Sequence, residues 1–171
     1  MRITEQQQQF ADWMRDHSAI LHHVVNGFVS GDDRNDLMQE VLIAVWKSIP
    51  AFRGQSKATT YLYRVSHNAA LFWARTEKNY QRRVDQFRES ESTAKVPEPG
   101  AETDERLVQV YAAIRELKPT DRSLILMSLD GLSYREMSDV LGISESNVGV
   151  KLNRIKAQLS ETMKGSEHEP R

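Results

Sequence analysis

Apolar residues in this 171-residue chain recur at steps of three and four and nowhere alternate two by two. That period gathers them on one side of an α-helix, whereas a half-buried strand would need a period of two. The fold is therefore expected to be all-α. Phe10, Met14, Leu21, Val24, Val25 and Phe28 form a first stripe that ends at Gly31. Leu37, Val41, Val45 and Ile49 form a second that Pro50 stops. Asp32, Asp33 and Asp36 are expected to cap the second helix and to set negative charge at its positive end. A loop containing Gly54 follows, and a third helix is predicted from Thr59 or Thr60 to about Asn79.

From Arg88 to Thr103 the periodicity is lost among serines, acids, Pro97, Pro99 and Gly100, which is the composition of a flexible linker. Beyond it Leu107, Val110, Tyr111, Ile114 and Leu117 open a second helical unit, with further helices near 120–130, 134–141 and 145–163. The expected layout is a helical domain over 1–84, a flexible acidic linker over 85–104, a second helical domain over 105–164 and a disordered tail over 165–171. A hydrophobic share of 39% suits two small cores better than one large one.

Several classes of function lack the residues they need. With no cysteine, the chain cannot build a disulfide framework, a thiolate zinc site or a thiol nucleophile. The longest apolar runs, such as Val41 to Trp46, are far shorter than the ~20 residues of a membrane span, and the polar start has no signal-peptide core. A cytoplasmic protein without membrane insertion is expected. The formal charge of −1 argues at first against nucleic acid, but the charges are segregated. Between Arg53 and Arg83 seven Lys or Arg face the single acid Glu77, and between Val84 and Glu105 seven acids face Arg88 and Lys95. A basic surface is followed by an acidic segment.

Ser133 and Glu136 form the two ends of a capping box, so a helix begins at Tyr134. Met137, Val140 and Leu141 point it inward, Gly142 suits the left-handed residue that closes it, and Ser144 caps the next helix. Val148, Leu152, Ile155 and Leu159 are the buried face of that next helix. Helix, tight glycine turn, helix is a helix-turn-helix. Its second helix exposes Asn147, Lys151, Asn153, Arg154 and Lys156 with no acid between Ser146 and Ser160, the donors that phosphates and base edges require. In the third helix Leu62, Val65, Ala69, Phe72 and Trp73 are expected to pack, with Tyr61, Arg64, His67, Asn68, Arg75 and Lys78 opposite them. Cations, an amide and an aromatic edge together suit unpaired DNA.

These motifs resemble the sigma factors of bacterial RNA polymerase, specifically the extracytoplasmic-function (ECF) group. Asp36-Leu37-Met38-Gln39-Glu40, Val45-Trp46, Phe52-Arg53-Gly54 and Thr60-Tyr61-Leu62-Tyr63-Arg64-Val65 with Asn68 and Arg75 resemble sigma region 2. Asp130-Gly131-Leu132-Ser133-Tyr134 and Leu141-Gly142-Ile143-Ser144 resemble region 4. The resemblance implies a region 2 helical bundle and a region 4 helix-turn-helix in an alternative sigma factor that binds core polymerase and directs promoter-specific initiation. It implies polymerase contact, through the β′ clamp helices, at Asp36, Gln39 and Glu40, and a further contact with the β subunit. Arg53, Lys57, Tyr61, Arg64, Asn68 and Arg75 would take the −10 element as it melts. Ser144, Ser146, Asn147, Lys151, Asn153 and Arg154 would take the −35 element as duplex. An anti-sigma factor is an expected partner. Tyr61 stands where the family usually has Trp, and Gly149-Val150 where it commonly has a basic residue and a Ser.

The remaining candidates point elsewhere. His17, His22 and His23 lack the i, i+4 pairing of helical metal ligands and read as structural or solvated. Asp36 with Glu40 sits at a helix start with no nucleophile or phosphate loop, so capping and partner contact fit better than catalysis. No enzyme, cofactor, metal or small-molecule substrate is expected. The alternative function is a stand-alone helix-turn-helix regulator binding operator DNA, its first half a sensing or dimerisation domain.

Overall fold

The computed structural model describes residues 2–87 and 104–167, which form seven α-helices and one 3₁₀ turn. The helices are α1 (Ile3–Phe28), α2 (Asp33–Ser48), α3 (Ala58–Phe87), α4 (Glu105–Arg115), α5 (Pro119–Leu129), α6 (Tyr134–Leu141) and α7 (Glu145–Glu167), with the 3₁₀ turn at Ile49–Ala51. No strand occurs among the described residues, as the helical period implied. Residues 88–103, most of the expected linker, and residues 168–171 of the expected tail lie outside the described residues.

Local chemistry explains most of the helix ends, with differences. Asp33 and Asp36 occupy the first turn of α2, but Asp32 at its N-cap makes no side-chain capping bond. Its backbone is already αR at φ −65°, ψ −30°, not the extended conformation that aims a cap at the first turn. Pro50 lies within the 3₁₀ turn that succeeds α2. α3 runs to Phe87, past the Asn79 expected from sequence, because no glycine or proline interrupts it and Gln81 Nε2 donates to Glu77 Oε1 at 3.1 Å. α7 likewise continues through Gly165 to Glu167 instead of fraying there.

α1, α2 and α3 pack as one helical unit around Trp13, Leu21, Val24, Leu37, Val41, Val45, Ile49, Leu62 and Tyr63, all buried. Trp13, Phe52 and Tyr61 form an aromatic cluster with ring centroids 4.8–5.9 Å apart. In the second unit α6 and α7 make the helix-turn-helix. Ser133 Oγ accepts from the Glu136 N–H at 3.2 Å while the Ser133 N–H donates to the Glu136 carboxylate at 2.8 Å. Gly142 has φ 68°, and Ser144 Oγ accepts from the Asn147 N–H at 3.2 Å. Gly149 has a steric reason: a Cβ there would lie 3.2 Å from the Tyr134 ring.

The two units dock on each other and their buried side chains form one continuous core. α1 packs on α4 and α5, and α3 on α5 and α6. Gly27 admits the close approach, since a Cβ there would stand 2.6 Å from Leu126 Cδ1. The helical wheel drawn for α3 is corrected at two places, and the docking accounts for the first of them. His67, expected on the open side, is only 4% exposed, whereas Phe72, expected in the core, is 71% exposed. A wheel for one unit cannot include the face that a second unit covers.

Candidate nucleic-acid interface

The turn between α6 and α7 leaves Ser144, Ser146 and Asn147 exposed at the start of α7, with Asn153 and Arg154 exposed further along. Buried Val148, Leu152 and Ile155 hold the opposite side of the helix to the core, so these polar groups face outward. Beneath them lies Asp121 of α5, which sequence reasoning missed. Its buried carboxylate is 3.2 Å from Arg154 Nη2 and 3.8 Å from Lys151 Nζ. Asp121 thus ties two expected DNA-binding cations to the first turn of α5, while the Arg154 side chain stays 60% exposed. An acid near a helix start reads from sequence only as a dipole partner.

On the first unit Tyr61, Arg64, Asn68 and Arg75 follow one another at helical steps along α3. Asn68 and Arg75 are exposed, as is Arg53 in the loop before α3. Tyr61 is half-buried in the aromatic cluster, and its hydroxyl donates to the Ser48 carbonyl at 2.9 Å. Lys57 and Arg64 are already engaged across the unit boundary. Lys57 Nζ is 2.9 Å from Glu136 Oε1, and Arg64 Nη2 donates to the Asp139 carbonyl at 3.2 Å. The Ser133 backbone N–H first, and the Lys57 ammonium next, hold the Glu136 carboxyl down to about 2. The structure therefore leaves Arg53, Asn68 and Arg75 open and turns Lys57 and Arg64 toward α6, the Lys57 side chain remaining 76% exposed.

Asp36, Gln39 and Glu40 are all exposed on α2. Glu40 borders an open groove of about 470 Å³ between α2 and α3, whose lining includes Ile43, Lys47, Phe72 and Trp73. Among the described residues no three His, Asp or Glu side chains are grouped to hold a metal, and no helix is long and apolar enough to cross a membrane.

Residues 13–80 match the family described as Sigma-70 region 2, and residues 107–159 match Sigma-70, region 4. The RNA polymerase sigma factor YlaC of Bacillus subtilis is 30% identical over 139 residues, covering 80% of each chain. SigZ of the same organism is 27% identical over 78% of this chain and 74% of its own. The ECF RNA polymerase sigma-E factor of Escherichia coli K12 is 27% identical over 78% and 75% respectively. A solved structure of the sigma factor RpoE from Bartonella quintana, in complex with the anti-sigma factor NepR, shares the fold at TM-score 0.67 and 21% identity, covering 95% of this chain and 98% of that one. The structure of CnrH with the cytosolic domain of CnrY shares it at TM-score 0.60. The match over residues 13–80 disfavours the stand-alone operator-binding regulator, whose first half would be a sensing or dimerisation domain. A helix-turn-helix preceded by a region 2 bundle, in the order and length of these relatives, makes the chain a member of the ECF sigma-factor family, an alternative sigma factor that directs transcription initiation.

Proposed function

We propose that the two units divide promoter recognition between them. Arg53, Lys57, Tyr61, Arg64, Asn68 and Arg75 take the −10 element as it opens, and Ser144, Ser146, Asn147, Lys151, Asn153 and Arg154 take the −35 element as duplex. The observation that carries this reading is the helix-turn-helix, whose capping box, left-handed Gly142 and Ser144 cap aim Asn147 and Asn153 outward on α7. Exposed Asn68 and Arg75 beside the edge of Tyr61 support the other half, because an amide, a guanidinium and a ring suit bases leaving the stack.

Asp36, Gln39 and Glu40 bind the β′ clamp helices of core polymerase, and the apolar groove beside Glu40 gives that contact area as well as charge. The chain works in the cytoplasm as a binding subunit, not as a catalyst. An anti-sigma factor holds it in check, a reading supported by the structural neighbour RpoE, which was solved in complex with the anti-sigma factor NepR.

The test mixes the protein with core polymerase and a promoter library and looks for start-site-specific transcripts. On a promoter so found, Arg154→Ala should weaken closed-complex binding on any template. Asn68→Ala should instead reduce permanganate reactivity of unpaired thymines on duplex, and recover on a pre-opened bubble. Identical defects on both templates would sink the division of labour.

A further inference from the structure

The side chain that points most directly away from the body of the protein along the first turns of α7 is apolar. Val148 and Leu152 are buried, and Val150 stands midway between them in the chain, about 160° around the helix from either at ~3.6 residues per turn. It is 67% exposed and takes no part in the core. One turn before it are Ser146 and Asn147, and one turn after it Asn153 and Arg154, all exposed. Lone exposed valines are common on protein surfaces. This one occupies the centre line of a helix face whose nearest members carry hydroxyl, amide and guanidinium groups, and valine is not a residue that helix propensity selects for an open position.

The nearest cations of α7 lie to one side of that line. Arg154 Nη2 is 3.2 Å and Lys151 Nζ 3.8 Å from the buried Asp121 carboxylate, which draws both toward α5. On the other flank Gly149 has no side chain and the Tyr134 ring packs close, since a Cβ there would meet it at 3.2 Å. Between a tethered charged edge and an aromatic edge the helix presents Asn147, Val150 and Asn153, along roughly 9 Å of axis at ~1.5 Å per residue. Base pairs stack ~3.4 Å apart, so the row spans about three of them. β-branching holds a helical valine in one preferred rotamer, so its methyls are aimed before any partner arrives.

We infer that Val150 is a specificity-determining residue, whose methyls pack on the 5-methyl group of a thymine in the major groove of the −35 duplex, between the amides of Asn147 and Asn153. The inference rests on the assignment of α7 to that element. Among the base edges of the major groove only thymine offers a methyl, and an asparagine amide pairs bidentately with adenine N6 and N7. The element that this chain reads is therefore expected to hold an A·T pair under the centre of α7, whereas a helix selecting guanine there would carry an arginine.

The full-length chain is assembled with core polymerase, and a promoter is selected from a pool of fragments by start-site-specific transcription. Each thymidine of its −35 element, on either strand, is then replaced in turn by deoxyuridine, which removes only the methyl, and closed-complex affinity is measured by competition. At one position the wild-type holoenzyme is expected to lose about fourfold in affinity, the effect of one methyl leaving an apolar contact. Val150 lies outside the core, so Val150→Ala keeps the fold; it should lose a similar factor on the thymidine duplex and become indifferent to deoxyuridine at that position. Asn153→Ala should bind less tightly yet keep the difference between the two duplexes. A wild-type holoenzyme indifferent to deoxyuridine at every position, a −35 element with no A·T pair, or a Val150→Ala chain that keeps full sensitivity would each overturn the inference. Failure of the α7 assignment shows separately, as unchanged closed-complex affinity in Asn147→Ala, Asn153→Ala and Arg154→Ala alike.

Discussion

Replacing Gly27 by alanine tests the docking of the two units without touching either DNA face. The new methyl would stand 2.6 Å from Leu126 Cδ1, about 1 Å inside an ordinary carbon–carbon contact. Leu126 is almost wholly buried, so relief requires a rotamer change or a slight parting of α1 and α5, at a cost of ~1–3 kcal/mol. Gly27 is next to last in α1, so the gain in helix propensity offsets at most ~1 kcal/mol. A net loss of ~0–2 kcal/mol is expected from these two terms. Leu126→Ala alone should cost ~2–5 kcal/mol, as for other buried leucines. In the double variant the clash is gone and the added methyl fills part of the cavity, so the loss should fall short of the sum by ~1–3 kcal/mol. Urea unfolding of the four full-length chains measures this coupling. Additivity within ~0.5 kcal/mol would mean that residues 27 and 126 do not touch in solution, and the docked arrangement would fall with it.

Three further outcomes follow from the same geometry. Burial lowers the His67 imidazole to about 4 from 6.5, so the folded chain keeps it neutral where the unfolded chain protonates it. Stability is therefore intact above pH 6.5 and falls as the pH drops toward 4, by roughly 2 kcal/mol between pH 7 and 5; in His67→Gln that part of the slope should vanish, and an identical slope would refute it. Asp121→Asn removes the buried partner of Lys151 and Arg154; because Arg154 is largely solvated, about 1 kcal/mol should be lost, a fall of roughly 2–4 °C in Tm, and an unchanged Tm would deny the tether. Asp36→Arg with Glu40→Arg reverses two exposed charges on α2, so helical circular dichroism should hold while affinity for core polymerase drops at least tenfold; normal assembly would remove the polymerase assignment.

What could be read from the sequence was what short-range chemistry decides. Ser133 and Glu136 are three residues apart and Gly142 closes the same helix, so the helix-turn-helix follows from local bonds and one left-handed residue. The stripe of α2 was legible for the same reason, since Leu37, Val41 and Val45 are spaced by single turns. Legibility stopped where partners are distant. Ser123 is 56 residues from His67, and Asp139 is 75 from Arg64, so nothing near either residue in the chain marks it as covered or engaged. The burial of His67 escaped the wheel for that reason, whereas Phe72 lies 71% exposed on the groove between α2 and α3 within the first unit. Asp121 and Asp130 were ordinary surface acids until the fold put Lys151 and Arg154 against the first and the Tyr63 hydroxyl against the second.

The docking of α1 on α4 and α5 also bears on the order in which the protein is made. Arg115 Nη1 donates to Asn26 O and Arg122 Nη1 to Phe28 O, across separations of 89 and 94 residues. At a synthesis rate of ~5–20 residues per second, roughly 5–20 seconds pass between the appearance of those carbonyls and of the side chains that complete them. During that interval the core shared by α1, α2 and α3 can already condense, since its partners are close in the chain and cheap to close. A nascent chain thus passes through a stage in which the first unit is folded, the last turn of α1 is frayed, and Lys57 and Arg64 have not yet met α6.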